Sequence, residues 1–384
     1  MSLMETAEAV VVGGGIIGAS IAYHLAARGM SRVVLLEREK LFGADSTGKC
    51  AGGIRAQFTT PVNIALSLAS VPRFVAFPEE MGVAAVFNQV GYMFMSTTED
   101  NWERMQRNVA LQRSHGLAVD LLKPEQVRDR LPHLRTEDLL GATWCPTDGI
   151  ADPNDFLLGY LKRARELGVR VETERGATDL ILEGGKVAGI RTTRGDIATP
   201  HVINATGAWA AQVGRMVGLD LPIVPVRRHI TTTGALDWIS TRDPMMVDNG
   251  SGLYMHPEGQ GLLMGMARHD EPSAFRTDVD EDFVITIVEA AIHRMPRLEE
   301  ASIATSWAGL YEVTPDHHPI LEAHAQVPGL VTCAGFSGHG FMHAPAAGEI
   351  VTQLVLGEHP TIDITPLRTD RFQGQGLTHE VMVI

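Results

Sequence analysis

The chain has 384 residues, 45% hydrophobic and 20% charged, with a formal net charge of −14 and three cysteines. The length asks for two domains of ordinary size, and the acidic balance excludes a nucleic-acid or anionic-membrane binder, whose ligands need a basic face. No apolar stretch reaches the roughly 18–20 residues that span a bilayer, and the first apolar run lacks the basic flank and cleavage site of a secretory signal. Cys50, Cys145 and Cys333 have neither the number nor the spacing for a disulfide framework or a zinc site. A reducing, cytoplasmic location is the expectation.

Residues 9–38 read AVVVGGGIIGASIAYHLAARGMSRVVLLER. A β-branched run leads into Gly13, Gly15 and Gly18 at G-x-G-x-x-G spacing, then a helical pattern, Gly29, a second strand at Val33–Leu36 and Glu37. Gly13 permits the tight strand-to-helix turn, Gly15 lets main chain approach a pyrophosphate, and Gly18 lets the helix pack on the sheet. The helix N-terminus then offers free N–H groups to phosphate. Glu37, 19 residues after Gly18, is placed to accept hydrogen bonds from ribose hydroxyls. Gly13, Gly15, Ile16, Ile17, Gly18, Glu37 and Arg38 are the expected dinucleotide contacts in this unit.

Residues 42–58 are rich in Gly, Ser and Thr and read as a loop beside an extended cofactor, with Ser46, Thr47, Gly52, Gly53 and Ile54 as contacts. Arg55 ends that loop, where a reactive ring should sit. Its planar fork suits a substrate carboxylate, although an ordinary surface arginine fits the sequence too. Pro61–Met81 reads as a helix with Pro at its start. Residues 83–146 mix strand-like runs (90–95), an amphipathic helix near 100–115 and the segment KPEQVRDRLP. A helix over 155–167 follows, then a strand over 169–172, a hairpin over 180–191 turning at Gly184-Gly185, and a strand over 196–204 that runs into Ala205, Gly207 and Trp209. Residues 221–306 are dominated by strands (Val224–Thr233, 253–256, 262–266) with one helix over 281–295.

Residues 307–319, WAGLYEVTPDHHP, pair an expected small-residue turn at Gly309 with Tyr311, whose hydroxyl either enters a pocket or belongs to the core. His317 and His318 are expected to be solvated. Residues 331–348, VTCAGFSGHGFMHAPAAG, place Gly335, Gly338 and Gly340 before a helix whose positive pole would face a reduced cofactor ring. His339 and His343 stand at i, i+4, but without H-E-x-x-H no metal site is expected.

Together GGGIIGASIAYHLAARG, STGKCAGGIR, INATGAWA, YEVTPDHHPIL and CAGFSGHGFMHAPAAGE closely resemble the FAD-dependent amine and amino-acid oxidoreductases of the D-amino-acid oxidase superfamily. Within it the chain is most similar to the β subunits of sarcosine oxidase and L-proline dehydrogenase and to the dimethylglycine dehydrogenase flavin domain. The resemblance runs from about residue 9 to residue 357. It implies a Rossmann-like FAD-binding domain joined to a discontinuous, mixed-sheet substrate domain. The expected boundaries are 1–82, 147–218 and 309–365 for the former, 83–146 and 219–308 for the latter, and 366–384 for a C-terminal tail.

By the same resemblance FAD is expected to be bound non-covalently, because Gly309 stands where some members carry a flavin-linked cysteine. Further expected contacts are Ala177, Ala205, Gly207, Trp209, Gly309, Gly335, Gly338, His339, Gly340, Phe341 and Met342. By the resemblance Arg55 matches the family's substrate-carboxylate arginine, Tyr254 and Tyr311 match tyrosines lining the pocket, and His339 lies in the turn under the flavin. Leu263 stands where oxidases carry an oxygen-activating lysine, and Met342 replaces a second carboxylate-binding lysine; both changes favour a dehydrogenase. The implied reaction is oxidation of the C–N bond of a small amino acid or N-methylated amine (sarcosine, dimethylglycine or proline class). Alternatives are a glycine or D-amino-acid oxidase producing peroxide, a non-catalytic flavoprotein subunit, or a nicotinamide enzyme. An α-type partner subunit or a homo-oligomer is the expected assembly.

Overall fold

Ala9–Val12 and Val33–Leu36 are fully buried runs of Val, Leu and Ala, the pattern of strands covered on both faces in a parallel sheet. In this computed structural model, which describes residues 5–374 and 376–382, they lie in a six-stranded sheet ordered Arg170–Glu172, Val33–Leu36, Ala9–Val12, Val202–Asn204, Leu330–Ala334, Ile320–Ala323. All pairings are parallel except the last. Val10 sits between Val34 and Val202, and Val202 beside Leu330, so three distant parts of the chain build one sheet.

Helices Ile16–Ala27, Pro153–Glu166 and Gly340–Val355 cover one face of that sheet, with Pro61–Met81 packed outside them. Close approach is set by small residues. A Cβ on Gly348 would stand 2.3 Å from Ser20 Oγ and 2.6 Å from His24 Nδ1, so the first and last helices touch there. Burial pushes the His24 ring down to about 4, which keeps it neutral. Residues 196–204 form two short strands rather than one, Ile197–Ala198 and Val202–Asn204. Pro200 between them has no N–H to give a ladder, and the first piece joins a small sheet with Glu5–Thr6 and the hairpin Ala177–Glu183/Lys186–Thr192.

The second large sheet has eight strands, in the order Ile303–Val313, Val224–Thr233, Gly261–Met266, Leu253–Glu258, Met245–Asp248, Tyr92–Ser96, Gly141–Cys145, Asp120–Leu122. Period-two alternation divides it. Met93, Met95, Met246, Met255, Leu262 and Met264 pack against Phe283 and Ile287 of the helix Glu281–Arg294. Tyr92, Phe94, Met245, Val247, Tyr254, Leu263 and Ile230 share the opposite face. Gly309, expected as a small-residue turn, is no turn: it lies within the eleven-residue strand Ile303–Val313, directly opposite Arg228. Flanking β-branched and aromatic residues outweigh one glycine.

Candidate active site

The turn after Ala9–Val12 is closed by contacts that only glycine allows. Gly13 has φ +111°, and a Cβ there would meet Ala205 O at 2.3 Å; a Cβ on Gly18 would lie 1.9 Å from Gly13 O. The helix that follows has Gly15 at its N-cap, no side-chain cap and no acid in its first turn. Thr47 Oγ1 accepts the Ile16 N–H at 3.0 Å. The positive helix end therefore opens onto a cavity, where an anion fits. Glu37 accepts N–H bonds from Gly14 and Glu39, both at 2.8 Å, and burial raises its pKa. Arg38 lies 3.8 Å from the Trp209 ring centroid, and Trp209 stacks on Phe275.

The same cavity continues along the 42–58 loop and past the second helix N-terminus. It is lined by Gly13, Gly15, Ile16, Ile17, Glu37 and Arg38 at one end, and by Ser46, Thr47, Ala177, Ala205, Gly207 and Trp209 beside them. Gly53, Gly309, Gly338, His339, Gly340, Phe341 and Met342 follow, and Arg55, Tyr254 and Tyr311 close the far end. The cavity encloses about 1910 Å³ of space, part of it open to solvent. Four expected contacts lie behind the wall instead. Gly18 supports the turn. A Cβ on Gly52 (φ +76°) would meet Ala151 O at 2.2 Å, Ile54 is buried in a strand pair with Gly149, and Gly335 (φ +82°) abuts Thr314 and Ile223. Their spacing in the sequence marks turns, and turns need glycine whether or not they touch a ligand.

The helix Gly340–Val355 begins at His339 with no side-chain cap and no acid in its first turn, a second uncapped positive end on the cavity. Gly338 has φ +100°, and a Cβ there would stand 2.3 Å from the Tyr311 ring. His339 Nε2 donates to His317 O at 3.0 Å, and its ring packs edge-on against Phe58 and His343. Burial holds its pKa well below the ordinary histidine value, and that of His343 at about 3. Both rings are neutral. His318 is buried rather than solvated, with Nε2 3.0 Å from Thr60 Oγ1.

Arg55 is buried in the cavity wall, over the Phe58 ring at 3.9 Å. Its guanidinium is already engaged: it donates to Gln57 O at 2.5 Å and to Met382 O of the C-terminal tail. The segment around it is held by Asp148, whose Oδ1 accepts the Ala56 N–H at 2.9 Å; burial pushes that carboxyl up to about 6. Tyr311 is pushed up to about 12 by burial, and Tyr254 and Tyr92 are raised as well, so all three phenols remain neutral donors. Sequence reasoning missed Tyr92, Lys49, Cys50, Glu312 and Arg228, all in the wall. Lys49 lays its stem over Gly309, 3.0 Å from where a Cβ would be. Burial lifts the Cys50 thiol to about 11, a poor nucleophile. Strand alternation was the available signal for Arg228: it and Ile230 share one face, and Arg227 and His229 the other.

The carboxylates in the wall are Glu37, Asp45 and Glu312. Asp45 pairs with Arg38 at 3.3 Å, and Glu312 accepts the Gly335 N–H at 3.0 Å from the strand face opposite Tyr311. The tyrosine-and-arginine end is thus free of acids, while the glycine end carries the anion-receptive helix. Two uncapped helix poles on one elongated cavity fit a dinucleotide with a charge-accepting ring.

The FAD dependent oxidoreductase family (DAO) matches residues 8–354. L-proline dehydrogenase from P. horikoshii superimposes with TM-score 0.91 at 31% identity, covering 97% of this chain and 99% of that one. Glycine oxidase from Geobacillus kaustophilus gives 0.87 at 27%, covering 95% and 98%. Among curated proteins, FAD-dependent oxidoreductase domain-containing protein 1 of Xenopus laevis is 31% identical across 97% of this chain and 83% of its own length. Mitochondrial dimethylglycine dehydrogenase of Rattus norvegicus is 28% identical across 96% of this chain but only 45% of its own length. Among the described residues no helix is long and apolar enough to cross a membrane. With the fold, the glycine cradle and the match in agreement, the chain belongs to the DAO family of FAD-dependent oxidoreductases, and FAD is its cofactor.

Proposed function

We propose that the chain oxidises the C–N bond of a small amino acid or N-methylated amine of the sarcosine, dimethylglycine or proline class to an imine. Supporting this reading are the named activities of the similar proteins and one observation above all: the cavity end formed by Tyr92, Tyr254, Tyr311 and two arginines contains no carboxylate. An anionic substrate fits there and a cationic amine without a carboxylate does not. Bound FAD supplies the hydride acceptor. Gly13, Gly15 and the first helix pole would hold its pyrophosphate, Glu37 and Arg38 its ribose, and the second pole at Gly340 its ring; with glycine at 309 the cofactor is read as non-covalent.

The protein's part is orientation and exclusion of water. Neutral phenols donate hydrogen bonds, and the buried, neutral His339 supplies packing rather than charge. No side chain at the acid-free end is a base, so the substrate enters with its amine deprotonated. Its carbon gives up hydride, leaving an iminium ion that loses a proton to the imine where the nitrogen still carries hydrogen, and water hydrolyses the acyclic product. Leu263, an aliphatic residue on the cavity face of the sheet, favours transfer of electrons to an acceptor other than oxygen. The assembly in this reading is an α-type partner subunit or a homo-oligomer, and the three free thiols accord with a cytoplasmic location.

The test is anaerobic. Sarcosine, dimethylglycine, L-proline and glycine are mixed in turn with the FAD-loaded protein, and bleaching of the visible flavin bands is followed. One of them bleaches the chromophore within turnover time; inertness to all four and to D-amino acids refutes the reading. Rapid peroxide formation in air would favour the glycine-oxidase alternative.

A further inference from the structure

Residues 376–382 form no helix and enter no sheet, yet they reach the tyrosine end of the cavity. Gly376, Thr378, His379 and Val381 are exposed, whereas Glu380 and Met382 are buried. Two points therefore fasten the segment. The Glu380 carboxylate is held by the hydroxyls of Thr59 and Thr60 and by Asn63 Nδ2, and its main chain bonds to Asp316 O and His317 Nδ1. Met382 joins the cluster of Tyr92, Phe94, Met245 and Tyr254 on the cavity face of the eight-stranded sheet. Tyr92, Met245 and Tyr254 themselves line the cavity.

What the segment brings to the cavity is one carbonyl. Arg55 Nη2 donates to Met382 O, and Nη1 donates to Gln57 O. Both acceptors are neutral main-chain oxygens, so this buried guanidinium is hydrogen-bonded without being charge-paired. Arginine and carboxylate form a bidentate pair of full charges, which a single main-chain carbonyl cannot match. The Met382 carbonyl is thus a weaker occupant of the fork than a carboxylate would be. It also sits on a stretch that can lift away without breaking a strand ladder or a helix.

We propose that residues 380–382 are a displaceable strap across the tyrosine end of the cavity, whose Met382 carbonyl competes with the substrate carboxylate for Arg55. The proposal rests on the reading of that end as an amino-acid site and adds a gate to it. A ligand shifts such an equilibrium only by its extra affinity for the open form. A carboxylate has that extra affinity, because it replaces a dipole on Arg55 with a charge. An amine without a carboxylate does not, so the strap stays down and the ligand is refused. The competition also weakens every carboxylate by the fraction of protein whose strap is closed.

The probe is acetate, titrated by calorimetry into the FAD-loaded full chain, so that binding is read independently of turnover. Glu380→Gln loosens the polar fastening and Met382→Ala the apolar one; each lowers the acetate Kd by at least about 10-fold. Adding Arg55→Met to Glu380→Gln removes that binding. Wild-type protein gives a second measurement that needs no variant to fold. Saturating acetate raises hydrogen exchange at the Val381 and Met382 amides, which bond to Thr59 Oγ1 and Glu380 Oε1, by at least about 10-fold, while Val202–Asn204 keep their rates. Acetate that binds wild-type protein without changing exchange at 381–382 overturns the strap and leaves the carboxylate site standing. So does an acetate Kd that is equal or weaker in the two loosened variants, or binding that survives Arg55→Met. Absence of acetate binding in wild-type and loosened proteins alike refutes the amino-acid site itself, and the strap with it.

Discussion

Replacing Glu380 with Gln tests how the C-terminal tail is fastened beside the site. The buried Glu380 carboxylate accepts hydrogen bonds from Thr59 N–H, Thr59 Oγ1 at 2.7 Å, Thr60 Oγ1 at 2.9 Å, Asn63 Nδ2 at 3.2 Å and Met382 N–H at 3.0 Å. These donors surround the N-terminus of the helix Pro61–Met81, whose dipole favours the charge. Gln keeps the shape, removes the charge and turns one acceptor into a donor aimed at other donors. Losing two bonds to a charged group amounts to about 3 kcal/mol, roughly a hundredfold in a local docking equilibrium. The readout is hydrogen exchange at Glu380, Val381 and Met382, whose amides bond to Asp316 O, Thr59 Oγ1 and Glu380 Oε1. Their exchange rises about 100-fold, while amides of Val202–Asn204 keep wild-type rates. Unchanged tail exchange, or loss of protection throughout the fold, refutes this account of the latch.

Gly18→Ala drives a Cβ into Gly13 O and opens the phosphate turn; flavin content after purification falls by about 100-fold, measured from the visible spectrum. Arg294→Met leaves Asp248, itself buried, without its cation, and costs about 3–5 kcal/mol in urea unfolding. Glu312→Gln changes the pH dependence of stability. Burial lifts the Glu312 carboxyl from its ordinary 4.5 to about 7, so the folded chain holds a proton that the unfolded chain releases. Wild-type stability from this group is therefore intact below about pH 4.5 and declines as pH rises to about 7, by at most about 3 kcal/mol. The variant lacks that slope. Parallel denaturant midpoints for the two proteins from pH 5 to 8 would disprove it.

The nucleotide half was legible because its elements carry two signals at once. Strands such as Ala9–Val12 and Leu330–Ala334 are largely apolar runs ended by glycine, and the helices beside them start a few residues after the runs stop. Pro61–Met81 and Val224–Thr233 were read to their observed ends, since a proline at N1 and a β-branched run are local signals. Gly309 misled because glycine marks a turn only when its neighbours agree; here Trp307, Leu310, Tyr311 and Val313 hold it in a strand. His318 misled because its burial is set by Thr60, 258 residues away. Glycine spacing likewise could not separate Gly13, which faces the cavity, from Gly18 and Gly335, which make room for other backbone and side chains behind it.

Arg227 and Arg228 show where local reading ends. They are the same residue type at adjacent positions in one strand, and pattern assigns them to opposite faces without saying which face holds the ligand. What separates them comes from elsewhere in the chain: residues 271–280 supply Glu271, Asp278 and Asp280 to one guanidinium, and nothing comparable reaches the other.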